Sequence, residues 1–248
     1  MDDSISSGPL RLAAHLAEPP APARGLGLVL CHGLPNGPRG ASAVGNTYPE
    51  LADRLARELG WPVLTFNFRG TGTSDGDFSA FGWLDDLRAA VRVLTDRDDV
   101  RTVFLAGFGH GGTFAVCEAA TDPLVRGVAT IAAPSTLRDW ARDPGYLMEH
   151  AREMGMIRTE GFPGDRAAWV REVARVDAVA AATRFGERLL LVLHGVDDAE
   201  VPVADARALA DAAGPNAELR LVQGAGHRLR HDPRAIATLL GWLDRQGS

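Results

Sequence analysis

The stretch Val103–Glu118, VFLAGFGHGGTFAVCE, sets the tightest limit on the fold. It starts as an apolar run, Val103 to Ala106, turns on Gly107, Gly109, Gly111 and Gly112, and continues as a helix-like segment from Thr113. That is a strand, a sharp turn and a helix in immediate succession. Glycines at these places give the backbone dihedrals that a side chain would forbid, and let a helix lie close against a strand.

Around this stretch the chain alternates strand and helix signals. Leu26–Cys31 is a continuous apolar run of the kind buried on both faces of a parallel sheet. Val63–Phe68, Val128–Ala132, Leu189–Leu193 and Leu219–Val222 read as further strands. Tyr48–Leu59 reads as a helix with Leu51, Leu55 and Leu59 on one face and Gly60 as its stop. Trp83–Thr95, Ala204–Ala213 and Pro233–Leu243 read as helices too. Leu10, Leu12 and Leu16 give a weak strand signal, and residues 1–9 are expected to be loose. Residues 135–185 hold Trp140, Tyr146, Phe162 and Trp169 among charges and are expected to form an inserted helical cap. The alternation predicts a mostly parallel sheet with helices on both faces, in a single domain over 1–248.

Composition narrows the function. The net charge of −6 argues against a nucleic-acid or anionic-membrane surface. No apolar run approaches the ~20 residues of a membrane span, and the acidic, polar start MDDSISSGPL is unlike a secretory signal. Cys31 and Cys117 suggest buried thiols rather than a disulfide framework. A cytoplasmic location is the expectation. The histidines and cysteines lack metal-ligand spacing, and no cofactor is expected.

In a parallel sheet, functional groups gather where the strands end. Here His32-Gly33, Arg69-Gly70-Thr71-Gly72, the glycine turn, His194-Gly195-Val196-Asp197-Asp198 and Gly224-Ala225-Gly226-His227 each follow a strand. With HGLPNG at 32–37, FRGTGTSDG at 68–76, GFGHGG at 107–112, HGVDDAEVP at 194–202 and GAGH at 224–227, the chain resembles the α/β-hydrolase superfamily over Leu26–Leu243. The small dienelactone-hydrolase-like and peptidase-like bacterial members are the most similar in loop pattern. The resemblance implies the α/β-hydrolase fold with a small helical cap. It implies esterase or amidase ancestry and a small acyl or carbonyl substrate. Gly107–Gly111 takes the place of the nucleophile elbow G-x-S-x-G, which puts the nucleophile position at Gly109. The acid falls on Asp198, on the spacing HG-x-x-D before Val201-Pro202, with the adjacent Asp197 as the alternative. The base falls on His227, and the oxyanion hole on the backbone N–H groups of Leu34 and His110. His32 and Arg69 are expected to order their loops.

The chain departs from the family at position 109, because glycine has no side chain with which to form an acyl-enzyme. No neighbour stands out as a substitute. Thr113 lies a helical turn beyond, Ser135 follows another strand, Ser74 belongs to the turn after Arg69, and Cys31 is expected to point into the sheet. Three readings stand. Asp198 and His227 activate a water or a substrate proton; or the pocket binds a small molecule without turning it over; or Gly107, Gly109 and Gly112 form a dinucleotide fingerprint. The last is disfavoured, since the next strand ends Ala132-Ala133-Pro134-Ser135, without the acidic residue that a ribose needs. A small-molecule substrate or ligand is the expected partner, and the oligomeric state stays open.

Overall fold

A computed structural model describes residues 4–21, 25–35 and 40–247. Among these residues, eight strands form one sheet in the order β1-β2-β4-β3-β5-β6-β7-β8. The strands are β1 (Ser4–Ser7), β2 (Leu10–Ala17), β3 (Gly25–Cys31), β4 (Val63–Phe66), β5 (Val100–Phe108), β6 (Val125–Ile131), β7 (Leu189–Gly195) and β8 (Ala217–Val222). The β1–β2 and β2–β4 pairings are antiparallel, and every pairing from β4 through β3 to β8 is parallel. Residues expected to be loose thus supply an edge strand. Ser4–Ser7 has no apolar pattern of its own and is ordered by its ladder to Leu10–Ala13.

The parallel strands β3 to β7 are buried along nearly their whole length, as two-sided coverage requires, while the edge strand β8 is only partly covered. One core layer joins the sheet to α2 (Ala80–Thr95), α3 (His110–Ala119) and α8 (Val203–Ala213). The other joins it to α1 (Tyr48–Leu59) and α9 (Pro233–Asp244), with Trp61 and Trp242 packed on either side of Phe104. Between β6 and β7 lie α4 (Arg138–Arg142), α5 (Pro144–Glu153), α6 (Arg166–Arg175) and α7 (Ala178–Ala182). Helix α7 packs on α3 and α8 with the layer flanking the sheet, whereas α4, α5 and α6 pack on one another and α6 reaches α2.

The loop after β4 joins three parts of the molecule. Its Arg69 guanidinium forks onto the fully buried Asp86 carboxylate of α2, with Nη2–Oδ1 at 2.7 Å and Nε–Oδ1 at 3.0 Å. The Arg69 backbone N–H donates to the other oxygen at 2.8 Å. The same loop accepts and donates backbone bonds to β2 through Asn67, Ser74 and Asp75. It carries the inserted helices through Phe78 N–H to Met156 O at 2.9 Å and through the Asp77 carboxylate, which accepts the N–H groups of Arg158 and Thr159. Asp86→Ala would strand a half-buried guanidinium. We expect it to destabilise the fold by about 3–5 kcal/mol, read as a lower urea midpoint, with Asp86→Asn losing less.

Candidate active site

The elbow is built by close approach. β5 runs to Phe108, further than the apolar run Val103–Ala106 suggests, and α3 starts at His110, earlier than Thr113. Only Gly109 lies between them, at φ 52° and ψ −133°, a left-handed conformation that L side chains rarely adopt. A Cβ on Gly107 would collide with the backbone of Gly111 and Gly112, and one on Gly111 with the carbonyl of His32. These glycines therefore press α3 against β5 and the loop after β3.

His32 holds that loop from behind. It is buried among Phe68, Trp83 and Tyr48. Its Nδ1–H donates to Gly33 O at 2.8 Å, and its Nε2 accepts the Phe68 N–H at 3.2 Å. Burial pushes its pKa down to about 4, against a smaller opposing effect of the Gly33 carbonyl. Gly33 in turn touches the elbow: a Cβ there would lie 2.9 Å from Phe108 O and 3.4 Å from His110 N. Leu34 and His110 thus sit on neighbouring backbone segments beside Gly109.

On the other side stands His227. Its Nδ1–H donates to Asp198 Oδ2 at 2.9 Å, and the Asp198 carboxylate is fully buried. Asp198 Oδ1 accepts the N–H groups of Glu200 and Val201, each at 2.9 Å. This short turn fixes the carboxylate. His194 lies behind it and closes the loop through Nε2–H to Val201 O at 2.9 Å. The bond to His227 is carried by Asp198, while the exposed Asp197 donates its backbone N–H to Ala225 O. A Cβ built on Gly109 would lie 3.8 Å from His227 Nε2 and 3.9 Å from Gly33 Cα, so there is room for a side chain between the turn and this nitrogen.

Gly109, Leu34, His110 and His227 line one cavity of about 810 Å³. Three other candidate nucleophiles are committed elsewhere. Thr113 Oγ1–H donates to Pro134 O at 2.6 Å, Ser74 Oγ–H donates to Asn67 O at 2.7 Å, and the buried Cys31 thiol is pushed far up by desolvation. Ser135 lines the same cavity, its backbone N–H donated to Asp205 at 2.8 Å.

Two side chains from α4 and α5 reach down to the elbow and the loop after β3. The Trp140 indole N–H donates to His110 Nε2 at 3.1 Å, and His150 Nε2–H donates to Pro35 O at 3.1 Å. Their rings lie 5.0 Å apart, and Trp140 stacks on Tyr146. Burial, with His227 and His150 adding to it, holds the His110 pKa down to about 3, so its imidazole is a neutral acceptor for the indole. These contacts are long-range and left no mark in sequence spacing. Glu200, whose Oε2 lies 3.7 Å from His227 Nε2, was nearer to hand, since it follows Asp198 in the same turn.

The sequence matches the Alpha/beta hydrolase family over residues 28–239, and the chain belongs to that family. Among solved structures, it is similar to Est1E from Butyrivibrio proteoclasticus with ferulic acid bound, at 18% identity and a TM-score of 0.73, covering 98% of this chain and 96% of that one. It is similar to an esterase from Pyrococcus furiosus, at 17% identity and a TM-score of 0.70, covering 99% and 90%. It is similar to proline iminopeptidase from Mycobacterium smegmatis, at 16% identity and a TM-score of 0.66, covering 98% of each chain. No curated protein matches it in sequence. Among the described residues there is no helix long and apolar enough to cross a membrane.

The buried histidines set an acid limit. Between pH 6.5 and about 4 the unfolded chain binds a proton at His32 that the folded chain refuses. Stability tied to His32 is therefore complete above pH 6.5 and is lost as pH falls towards 4, at up to about 1.4 kcal/mol per pH unit. Calorimetry at pH 7, 5.5 and 4 should show a shallower acid slope for His32→Gln than for the parent.

Proposed function

We propose that this α/β-hydrolase cavity acts on a small acyl or carbonyl compound without a covalent intermediate, using Asp198 and His227 to activate water. The supporting observation is the pair itself. His227 is hydrogen-bonded to Asp198 at 2.9 Å, and its Nε2 faces the space that a serine hydroxyl would take. A water in that space gives its proton to Nε2 and attacks the carbonyl carbon. The oxyanion is received by the N–H groups of Leu34 and His110. The imidazolium then returns the proton to the leaving oxygen, so an ester and water become an acid and an alcohol. Asp198 fixes the tautomer and balances the imidazolium charge. Glu200, at 3.7 Å from Nε2, is a second acceptor beside the same water position.

Hydrolysis of short p-nitrophenyl esters tests this. The parent should turn over and His227→Ala should lose about 10²-fold or more. Equal rates in the two would overturn the water-activation reading. The parent should resist a fluorophosphonate, and Gly109→Ser should be labelled, because the added Cβ fits 3.8 Å from His227 Nε2. Turnover by Gly109→Ser alone would instead make the natural protein a ligand-binding member of the family.

A further inference from the structure

The cavity has a charged wall that catalysis at Gly109 does not use. Arg230, in the turn after β8, lines it together with Tyr48, the first residue of α1. The Arg230 guanidinium carbon lies 4.9 Å from the centre of the Tyr48 ring. Its Nη2 is 3.0 Å from His231 Nε2. Among the described residues no carboxylate oxygen comes within 4.0 Å of the guanidinium. The three acidic side chains on the cavity wall are engaged: Asp139 with Arg142 at 2.8 Å, Asp205 with the Ser135 N–H at 2.8 Å, and Glu200 beside His227.

Tyr48 adds a second, independent observation. The residue is 4% exposed, its ring packs on His32 and Phe108, and among the described residues its hydroxyl has no hydrogen-bond partner. Burial keeps the phenol protonated, so it remains an O–H donor. The hydroxyl is not sealed from the cavity that Tyr48 lines, so it is open to a ligand or water there. An aromatic-stacked guanidinium beside a phenol presents donors to an anion and an apolar face to the chain that carries it.

We propose that Arg230 and Tyr48 form a carboxylate subsite, so that the molecule seated at Gly109 is an acyl or carbonyl compound that also bears a free carboxylate. The guanidinium fork receives the carboxylate, and the Tyr48 hydroxyl donates to one of its oxygens. The reacting carbonyl then lies towards His227, and the wall made by Trp140 and Tyr146 covers the remainder. This deepens the hydrolase reading and rests on its placement of the reacting group, while the subsite itself is tested by binding alone.

Isothermal titration of the full chain with 3-phenylpropanoate, 3-phenylpropanamide and inorganic phosphate is the direct experiment. The carboxylate should bind about tenfold or more tighter than the neutral amide, which forfeits a charge-assisted pair. Arg230→Gln should abolish that preference and Tyr48→Phe should reduce it, both with the parent's melting temperature at pH 7 to within a few degrees. Arg228→Gln, which removes the exposed neighbouring cation, should leave it in place. Equal affinities, no binding by either organic probe, or a preference that survives Arg230→Gln would each overturn the proposal. Phosphate binding tighter than the carboxylate would overturn it in favour of a phosphoryl ligand. Because His227→Ala should still bind the carboxylate, a negative esterase assay does not bear on this result.

Discussion

The fork of Arg69 on Asp86 holds the molecule together at its most connected point. A fully buried carboxylate meets a guanidinium and a backbone N–H from one residue, so the loop that begins there has a fixed origin. From that origin the loop reaches the N-terminal strands, the imidazole of His32 and the helices inserted after β6. Burying such a pair is a weak source of net stability, and its value here is geometric. It sets the position of His32, which sets the loop bearing Leu34, which is pressed against the elbow. The site is thus ordered from behind by charges that never face the cavity.

The site is also ordered from above. Trp140 and His150 come from separate helices, touch each other, and end on two neighbouring segments, one on His110 and the other on Pro35. Any displacement of α4 or α5 is therefore felt at both backbone segments that flank Gly109. The inserted helices form part of the site's geometry as well as its roof. This links the fit of a ligand against the aromatic wall to the alignment of the N–H groups below it.

Much of this could be read from the chain. The strands from β3 to β7 are near-continuous apolar runs, and Gly109 and Asp198 follow the carboxyl ends of two of them, while His227 follows the more polar β8. The choice between Asp197 and Asp198 could not be made from residue type, since the two are neighbours of equal chemistry. In the structure it is Asp198 that bonds to His227, held by a turn in which it accepts the N–H groups two and three residues on. Ser4–Ser7 was illegible because its order comes from a partner strand and not from its own pattern. Asp86 lies 17 residues from Arg69 and reads in sequence as one more helix acid, although it is the most buried of them. Tyr48, Arg230, Trp140 and His150 escape for the same reason, as contacts between distant elements leave no periodicity.

Gly109 has one more consequence. A serine at φ 52° and ψ −133° is held in a strained conformation, at a cost of about 1–3 kcal/mol, by the elements packed around it. Glycine accepts the same dihedrals freely. A serine placed here would therefore draw on stability that the chain must hold in reserve. At such a position side-chain chemistry and backbone ease pull against each other: any residue that could attack a substrate has to be offset by the packing around it.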